Sequence, residues 1–357
     1  MKEAKILVLG ATGYTGRLVV DELIRCEFRF DVCGRDKQKL LELTKASGLE
    51  LPLRVLDIAN QDQFVNLLEE YDVVINCIGP FRLYCADLIR AVSEWPGIYI
   101  DISGELDFAL NSLQSLGQTC HSCRCLVIHG CAFESALAEL LMEKIAEADT
   151  AYRDISSYYR YSNGKMSPGT RLTAQLANKR DALIFRDDNY RPIDESDLLR
   201  TPGFASDEDS LGFYSPLPEV AFFAESYQVR NTGSYLLLPA TEARFLCSFH
   251  SDGNTDTEKI LAKHRKRKPA GPSPGERRQH RFEVTVEATD DMDNHRYISA
   301  LGVDPYGMTA VFVRLLLGQI LAQHSKVYGV KSPGEILRNN RILERLQAEK
   351  RITISSD

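Results

Sequence analysis

The residues best suited to chemistry come early in this sequence. Gly10-Ala11-Thr12-Gly13-Tyr14-Thr15-Gly16 follows the apolar run Ile6-Leu7-Val8-Leu9 and precedes a stretch with helical spacing, in which Val19 and Leu23 lie one turn apart. A strand entering a glycine-rich turn that opens a helix is the arrangement that binds a pyrophosphate. Glycine permits the tight turn and a close backbone approach, while the helix N-terminus supplies N–H donors and the positive end of its dipole. The spacing is G-x-x-G-x-x-G rather than the commoner G-x-G-x-x-G. An ordinary strand-to-helix turn would use the same residues, but the strand and helix signals that follow favour a dinucleotide held by Gly10, Thr12, Gly13, Tyr14, Thr15 and Gly16.

The end of the second predicted strand selects the dinucleotide. An acidic residue there would bind a ribose 2′-hydroxyl, whereas an arginine accommodates a 2′-phosphate. This chain has Gly34-Arg35-Asp36-Lys37, with Lys39 close by, so NADP is expected over NAD. Asp36 comes one residue late and suits a helix N-cap. Asp57-Ile58 ends the third strand with a carboxylate for the adenine amine and an apolar side chain for the ring face. Cys77, Gly79 and Pro80 end the fourth, where Gly79 lets backbone approach the nicotinamide half. Hydride transfer with such a dinucleotide needs an oriented nicotinamide and a water-poor pocket, and can use one proton donor. Tyr84, Glu134 and Tyr306 are the candidates, and Glu105 is placed for the nicotinamide amide or ribose. Packing tyrosines, a helix-start carboxylate and, for Glu134 with Ser135, simple N-capping are the structural alternatives.

The elements that must position these residues alternate through the first 130 residues. Strands are predicted at residues 6–9, 30–33, 53–56, 73–78, 99–102 and 126–128, with helices at 15–25, 38–47, 61–70, 85–93 and 108–116. Such alternation implies a parallel sheet covered by helices on both faces. After residue 143 the pattern changes, with strands predicted at 154–161, 222–229, 244–249, 281–289 and 294–300, and helices at 170–179 and 308–323. Phe282-Glu283-Val284-Thr285-Val286-Glu287 alternates with period two, as a half-buried antiparallel strand does. The fold class is α/β: a Rossmann-type parallel-sheet domain plus an α+β substrate domain with a mostly antiparallel sheet.

Composition narrows the class further. The 357 residues favour two domains, and 44% hydrophobic with 26% charged residues excludes general disorder. A net charge of −7 argues against a chain-wide grip on nucleic acid. The longest apolar run is broken by Arg314, so no membrane span is expected, and the N-terminus lacks a signal-peptide layout. The expectation is a cytoplasmic protein whose nine cysteines are reduced thiols. CHSCRC (residues 120–125) has a Cys-x-x-Cys spacing, with His121, His129 and Cys131 near, but no second well-spaced pair, so unliganded thiols are favoured over zinc. There is no Gly-x-Ser-x-Gly elbow and no His-Glu-x-x-His helix. Residues 259–281 carry nine Lys/Arg and one acid, a charge of +8 that leaves −15 elsewhere. A solvated loop is the plain reading; a peripheral contact with an anionic acyl carrier or a membrane or lipid surface is the sharper one.

GATGYTGRL (residues 10–18), NCIGPFRLYCADLIRA (76–91) and YIDISGE (99–105) resemble motifs of the saccharopine dehydrogenase-like oxidoreductases, in the branch with the trans-acting enoyl reductases and lipid-droplet proteins. HGCAFESALAELL (129–141) resembles that family's Gly-Phe-Asp-Ser segment, departing from it at Ala132 and Glu134. SPGTRLTA, GPSPGERRQHRFEV, DPYGMTA and YGVKSPGEIL have counterparts in order, leaving residues 185–245 poorly anchored. The resemblance implies an NADP-binding Rossmann domain at residues 1–145, a substrate domain at 146–302, and C-terminal helices at 303–357 that return to the first. It also implies an NADP-dependent oxidoreductase that reduces a C=C bond of an acyl or lipid-like substrate at the cleft between the domains. The alternatives are C=N reduction by a saccharopine-type amino-acid dehydrogenase, for which Arg160 and Arg171 are suggestive, and a dinucleotide- or lipid-binding scaffold without turnover.

Overall fold

A computed structural model describes residues 4–117, 125–147, 150–176, 182–204, 210–248, 259–263, 271–322, 327–338 and 341–356. The chain divides into two compact units, Met1–Phe133 with Tyr306–Leu337, and Glu134–Pro305 with Arg338–Asp357.

The first unit is built on β1 (Ile6–Leu9), β2 (Asp31–Gly34), β3 (Leu53–Val55), β4 (Val73–Asn76), β5 (Ile98–Asp101) and β6 (Leu126–Ile128), with α1 (Tyr14–Arg25), α2 (Lys37–Ser47), α3 (Gln61–Leu68), α4 (Phe81–Tyr84), α5 (Ala86–Glu94) and α6 (Leu106–Gly117) between them. All four residues of β1 and of β4 are buried, as expected of strands covered on both faces. The sheet is parallel in the order β3-β2-β1-β4-β5-β6, and Gly329–Lys331 adds a seventh strand beside β6. The order reverses between β1 and β4, and ligands of such sheets lie outside the strand C-termini at that switch point. Asp36 caps α2 by accepting the Lys39 N–H at 3.2 Å, and Asn60 caps α3 through the Gln63 N–H.

The helix Pro305–Ala322 is long and apolar enough to cross a membrane by length and composition, but 67% of it is buried within the protein. Its Arg314 Nε donates to Glu22 of α1 at 2.8 Å. Burial and this internal ion pair describe a core helix.

The second unit opens with α7 (Phe133–Ala146), whose residues from Glu134 onward belong to it. It continues with β7 (Asp154–Ser162), α8 (Pro168–Leu176), β8 (Leu183–Arg186), β9 (Asn189–Pro192), β10 (Leu199–Arg200), β11 (Ser210–Tyr214), α9 (Glu219–Tyr227), β12 (Asn231–Pro239), α10 (Ala240–Ser248), α11 (Pro274–Gln279), β13 (Arg281–Thr289) and β14 (His295–Val303). The sheet runs β10-β11-β12-β7-β13-β14 and ends with Ile352–Ser356, while the hairpin β8–β9 joins at β12. The β12–β7 pairing is parallel and the other pairings are antiparallel.

Three expectations change. Residues 222–229, read as a strand, lie mostly in α9, where Glu219 through Phe223 are all buried. Residues 244–249, also read as a strand, fall in α10 as far as Ser248. A short all-apolar run carries no period that separates a buried helix from a buried strand. The C-terminal segment also divides: residues 306–337 belong to the first unit, but Ile352–Ser356 pairs with β14 in the second. The predicted helix beyond Leu176, the Cys120 and Cys123 pair, and Lys266, Arg267 and Lys268 of the basic strip lie outside the described residues.

Candidate functional site

The glycine-rich turn is shaped by close backbone approaches. Gly10 has φ +72°, a left-handed conformation suited to glycine, and a Cβ there would lie 2.8 Å from Ile78 Cγ1 and 3.1 Å from the Cys77 carbonyl. A Cβ on Gly16 would lie 2.2 Å from the Gly10 carbonyl oxygen. The Gly13 N–H donates to that oxygen at 2.8 Å, and Gly13 caps α1 without a side-chain hydrogen bond. The backbone of residues 10–16 is thus pressed against the ends of β1 and β4, with the helix dipole behind it, a cradle that fits a pyrophosphate. Tyr306, on the first turn of the Pro305–Ala322 helix, meets Tyr14 of this turn edge-on at 5.1 Å between ring centroids.

Around the turn, the predicted residues occupy the C-terminal ends of successive strands. Arg35 follows β2, is exposed, and makes no ion pair among the described residues. The Lys39 ammonium lies 3.9 Å from Asp36. Asp57 is exposed after β3 and accepts the Ala59 N–H at 3.2 Å, while Ile58 packs on the core. Cys77 continues the β1–β4 ladder by donating its N–H to Leu9 at 3.0 Å, and burial pushes its thiol up to about 12. Gly79 is exposed and precedes buried Pro80 through a cis peptide bond. Tyr84 ends α4 and is exposed.

Glu105 takes a place that sequence reasoning did not anticipate. Its Oε1 accepts the Phe81 N–H at 2.8 Å and its Oε2 accepts the Arg82 N–H at 2.9 Å. Burial raises its pKa, opposed by these two backbone donors and by the Arg82 guanidinium. The carboxylate therefore holds the start of α4, and with it the 79–82 turn, through main-chain partners that no side-chain motif announces.

A second constellation lies within the second unit. Glu134, at the N-terminus of α7, accepts from the Tyr161 hydroxyl at 2.9 Å. Its pKa is pushed up to about 7, chiefly by burial, with Glu219 adding repulsion and the Tyr161 hydroxyl opposing the shift. Ser135 donates to Glu219 at 2.6 Å, as do Ser157 at 2.8 Å and Tyr159 at 2.5 Å. Glu219 is fully buried, and burial raises its pKa. Its partners are 60 to 84 residues away, so sequence spacing gave no sign of it. Arg160, considered earlier for a substrate carboxylate, faces Glu283 at 3.6 Å. Among the described residues no cluster of His, Cys, Asp and Glu is placed to hold a metal.

Residues 6–180 match the family model described as "Saccharopine dehydrogenase NADP binding domain". A lipid droplet localized protein of Caenorhabditis elegans is 29% identical over 151 residues, 39% of this chain and 35% of that protein. A trans-acting enoyl reductase of Mycobacterium leprae is 27% identical over 144 residues, 39% of this chain and 34% of that protein. The matched stretch thus spans about a third of each relative's length. Among solved structures, apo saccharopine dehydrogenase (L-Glu forming) of Saccharomyces cerevisiae aligns with 99% of this chain and 100% of its own, at 12% identity and a TM-score of 0.62, a likeness of fold. The resemblance read from the motifs is borne out.

Proposed function

We propose that this protein, whose residues 6–180 match the saccharopine dehydrogenase NADP-binding domain, is an NADP-dependent reductase acting on a C=C bond of an acyl or lipid-like substrate. The observation that carries the cofactor half of this reading is the backbone cradle at Gly10 and Gly16, where neither position has room for a Cβ. Gly10, Thr12, Gly13, Tyr14, Thr15 and Gly16 hold the pyrophosphate, with Tyr306 bracing Tyr14. Arg35 and Lys39 meet the 2′-phosphate, and Asp57 and Ile58 meet the adenine. Cys77, Gly79 and Pro80 face the nicotinamide half, and Glu105 keeps their turn in place. When bound, the cofactor supplies the hydride.

The chain itself must then supply a proton. Glu134 is the best-suited donor, because a carboxyl group held near pH 7 is partly protonated under neutral conditions and can give its proton up. The Tyr161 hydroxyl steadies the carboxylate left behind. Tyr84 is exposed and Tyr306 sits at the pyrophosphate turn, so neither competes well with Glu134 for this role. The enoyl reductase and lipid-droplet relatives support an acyl or lipid-like substrate.

The test is NADPH oxidation against a panel of enoyl thioesters, 2-oxo acids paired with amino acids, and imines. Turnover confined to enoyl thioesters supports the reading. Turnover of the amino-acid pairs in their place moves the protein to C=N reduction. Tight NADPH binding with no turnover anywhere makes it a scaffold.

A further inference from the structure

Behind the 77–80 turn lies a chain of buried polar groups with no part in the proposed hydride or proton transfer. Asn76, Tyr99, Asp101 and His129 are all fully buried: Asn76 and Asp101 end β4 and β5, Tyr99 lies within β5, and His129 follows β6. His129 Nδ1 lies 2.6 Å from Asp101 Oδ2, while Asp101 Oδ1 accepts the Ser103 and Gly130 N–H groups at 3.0 and 3.1 Å. With donors already gathered on its other oxygen, the carboxylate acts as acceptor and His129 carries the Nδ1 proton. Tyr99 stands two residues before Asp101, on the same face of β5, and its hydroxyl accepts from Asn76 Nδ2 at 2.8 Å. Asn76 Oδ1 accepts the Ile78 N–H at 2.9 Å, and Ile78 is the side chain that packs against Gly10. The polar groups thus follow one another across three strand ends into the turn.

One atom stands out. Among the described residues His129 Nε2 has no hydrogen-bond partner, its ring lying edge-on to Phe108 at 4.8 Å and Tyr99 at 6.1 Å. A buried polar atom left unpaired is unfavourable, and an apolar residue would fill the same space without that penalty. The position makes sense only if the Nδ1 bond to Asp101 is in use.

We infer that His129 and Asp101 are positioning residues which, through Tyr99 and Asn76, hold the 77–80 turn in the shape that the nicotinamide half of the cofactor requires. The inference rests on the NADP reading, and a fragment comparison separates the two. Adenosine 2′-monophosphate carries the groups assigned to Arg35 and Asp57 and nothing of the nicotinamide half.

The experiment titrates wild type, Tyr99→Phe, His129→Leu and His129→Asn with NADPH and with adenosine 2′-monophosphate, and follows amide hydrogen exchange of residues 77–82 in the free protein. Tyr99→Phe deletes one hydroxyl, and His129→Leu deletes the donor to Asp101. Each is expected to weaken NADPH about three- to tenfold, the scale of one buried hydrogen bond, with the fragment unchanged and exchange at Ile78 faster. In His129→Asn a side-chain amide stands where Nδ1 stood, so this variant is expected to restore the wild-type NADPH-to-fragment ratio. A merely structural role would lower the melting temperature of the variants without changing that ratio, and would overturn the inference. So would a wild-type ratio and wild-type exchange in Tyr99→Phe, which decides the matter alone if His129→Leu does not fold. Failure of the wild type to bind the fragment would remove the NADP reading itself, and the inference with it.

Discussion

Alanine at Gly16, compared with alanine at Gly48, isolates the steric basis of the cofactor cradle. Gly16 lies in the first turn of α1, where alanine is favoured over glycine by about 1 kcal/mol on helix propensity alone. A Cβ there, however, lies 2.2 Å from the Gly10 carbonyl oxygen, well inside normal contact, and the atom it meets is backbone. Helix and turn must separate by about an ångström to relieve it, which is enough to misplace phosphate-binding N–H groups. Losing two charge-assisted bonds at ~1.5 kcal/mol or more each predicts at least ~100-fold weaker NADPH binding. Gly48 has φ +71° with nothing within 4 Å of its Cβ position among the described residues, so alanine there meets only backbone strain of about 1–2 kcal/mol. The expected pattern is reciprocal: Gly48→Ala melts earlier and binds NADPH normally, whereas Gly16→Ala binds poorly. The assay is NADPH fluorescence titration alongside thermal melts. Gly16→Ala binding NADPH within threefold of wild type would show that the close approach of Gly16 to the Gly10 carbonyl does not shape the cofactor site.

Arg35→Ala should weaken NADPH about 10- to 100-fold while barely changing NADH, with Lys37 and Lys39 keeping the loss toward the lower figure; parallel titrations with both cofactors check it. If Glu134 donates the proton, turnover should fall as pH rises through about 7, because the donor is then ionised. Glu134→Gln should lower the rate at least ~100-fold and remove that limb of the pH–rate profile. Glu219 is raised above its unfolded value by burial, so the stability tied to its protonated form is full below the unfolded pKa and is lost as pH rises through the folded one. Thermal melts followed from below the ordinary carboxyl pKa upward should therefore show wild type declining more steeply with rising pH than Glu219→Gln.

The first unit was legible because its signals are local. β1, β2, β4 and β5 are short, mostly apolar runs that end in or run into glycine, asparagine or aspartate, and Gly10, Gly13 and Gly16 announce their turn by spacing together with the strand before it and the helix after it. The second unit was read less well, where burial on all sides erased the period. Phe222-Phe223-Ala224 reads equally as strand or helix, and the glycine and serine inside β12 hid a nine-residue strand. Within the sites, what escaped notice depends on partners far along the chain or on the main chain. Glu105 binds backbone N–H groups 23 and 24 residues away, and His129 meets Asp101 across 28 residues. Neither relation leaves a trace in residue spacing.

The proposed reaction is hydride transfer from NADPH to a carbon–carbon double bond, and the fate of an isotopic label on the hydride reports it. The protein is incubated with NADPH carrying deuterium at the nicotinamide C4 position and an enoyl thioester, and the acyl product is analysed by mass spectrometry. Hydride transfer gives a saturated product bearing one deuterium on carbon when a single face of C4 is labelled, and none when the other face is labelled. Unreduced substrate, or a saturated product without deuterium from either label, would contradict it.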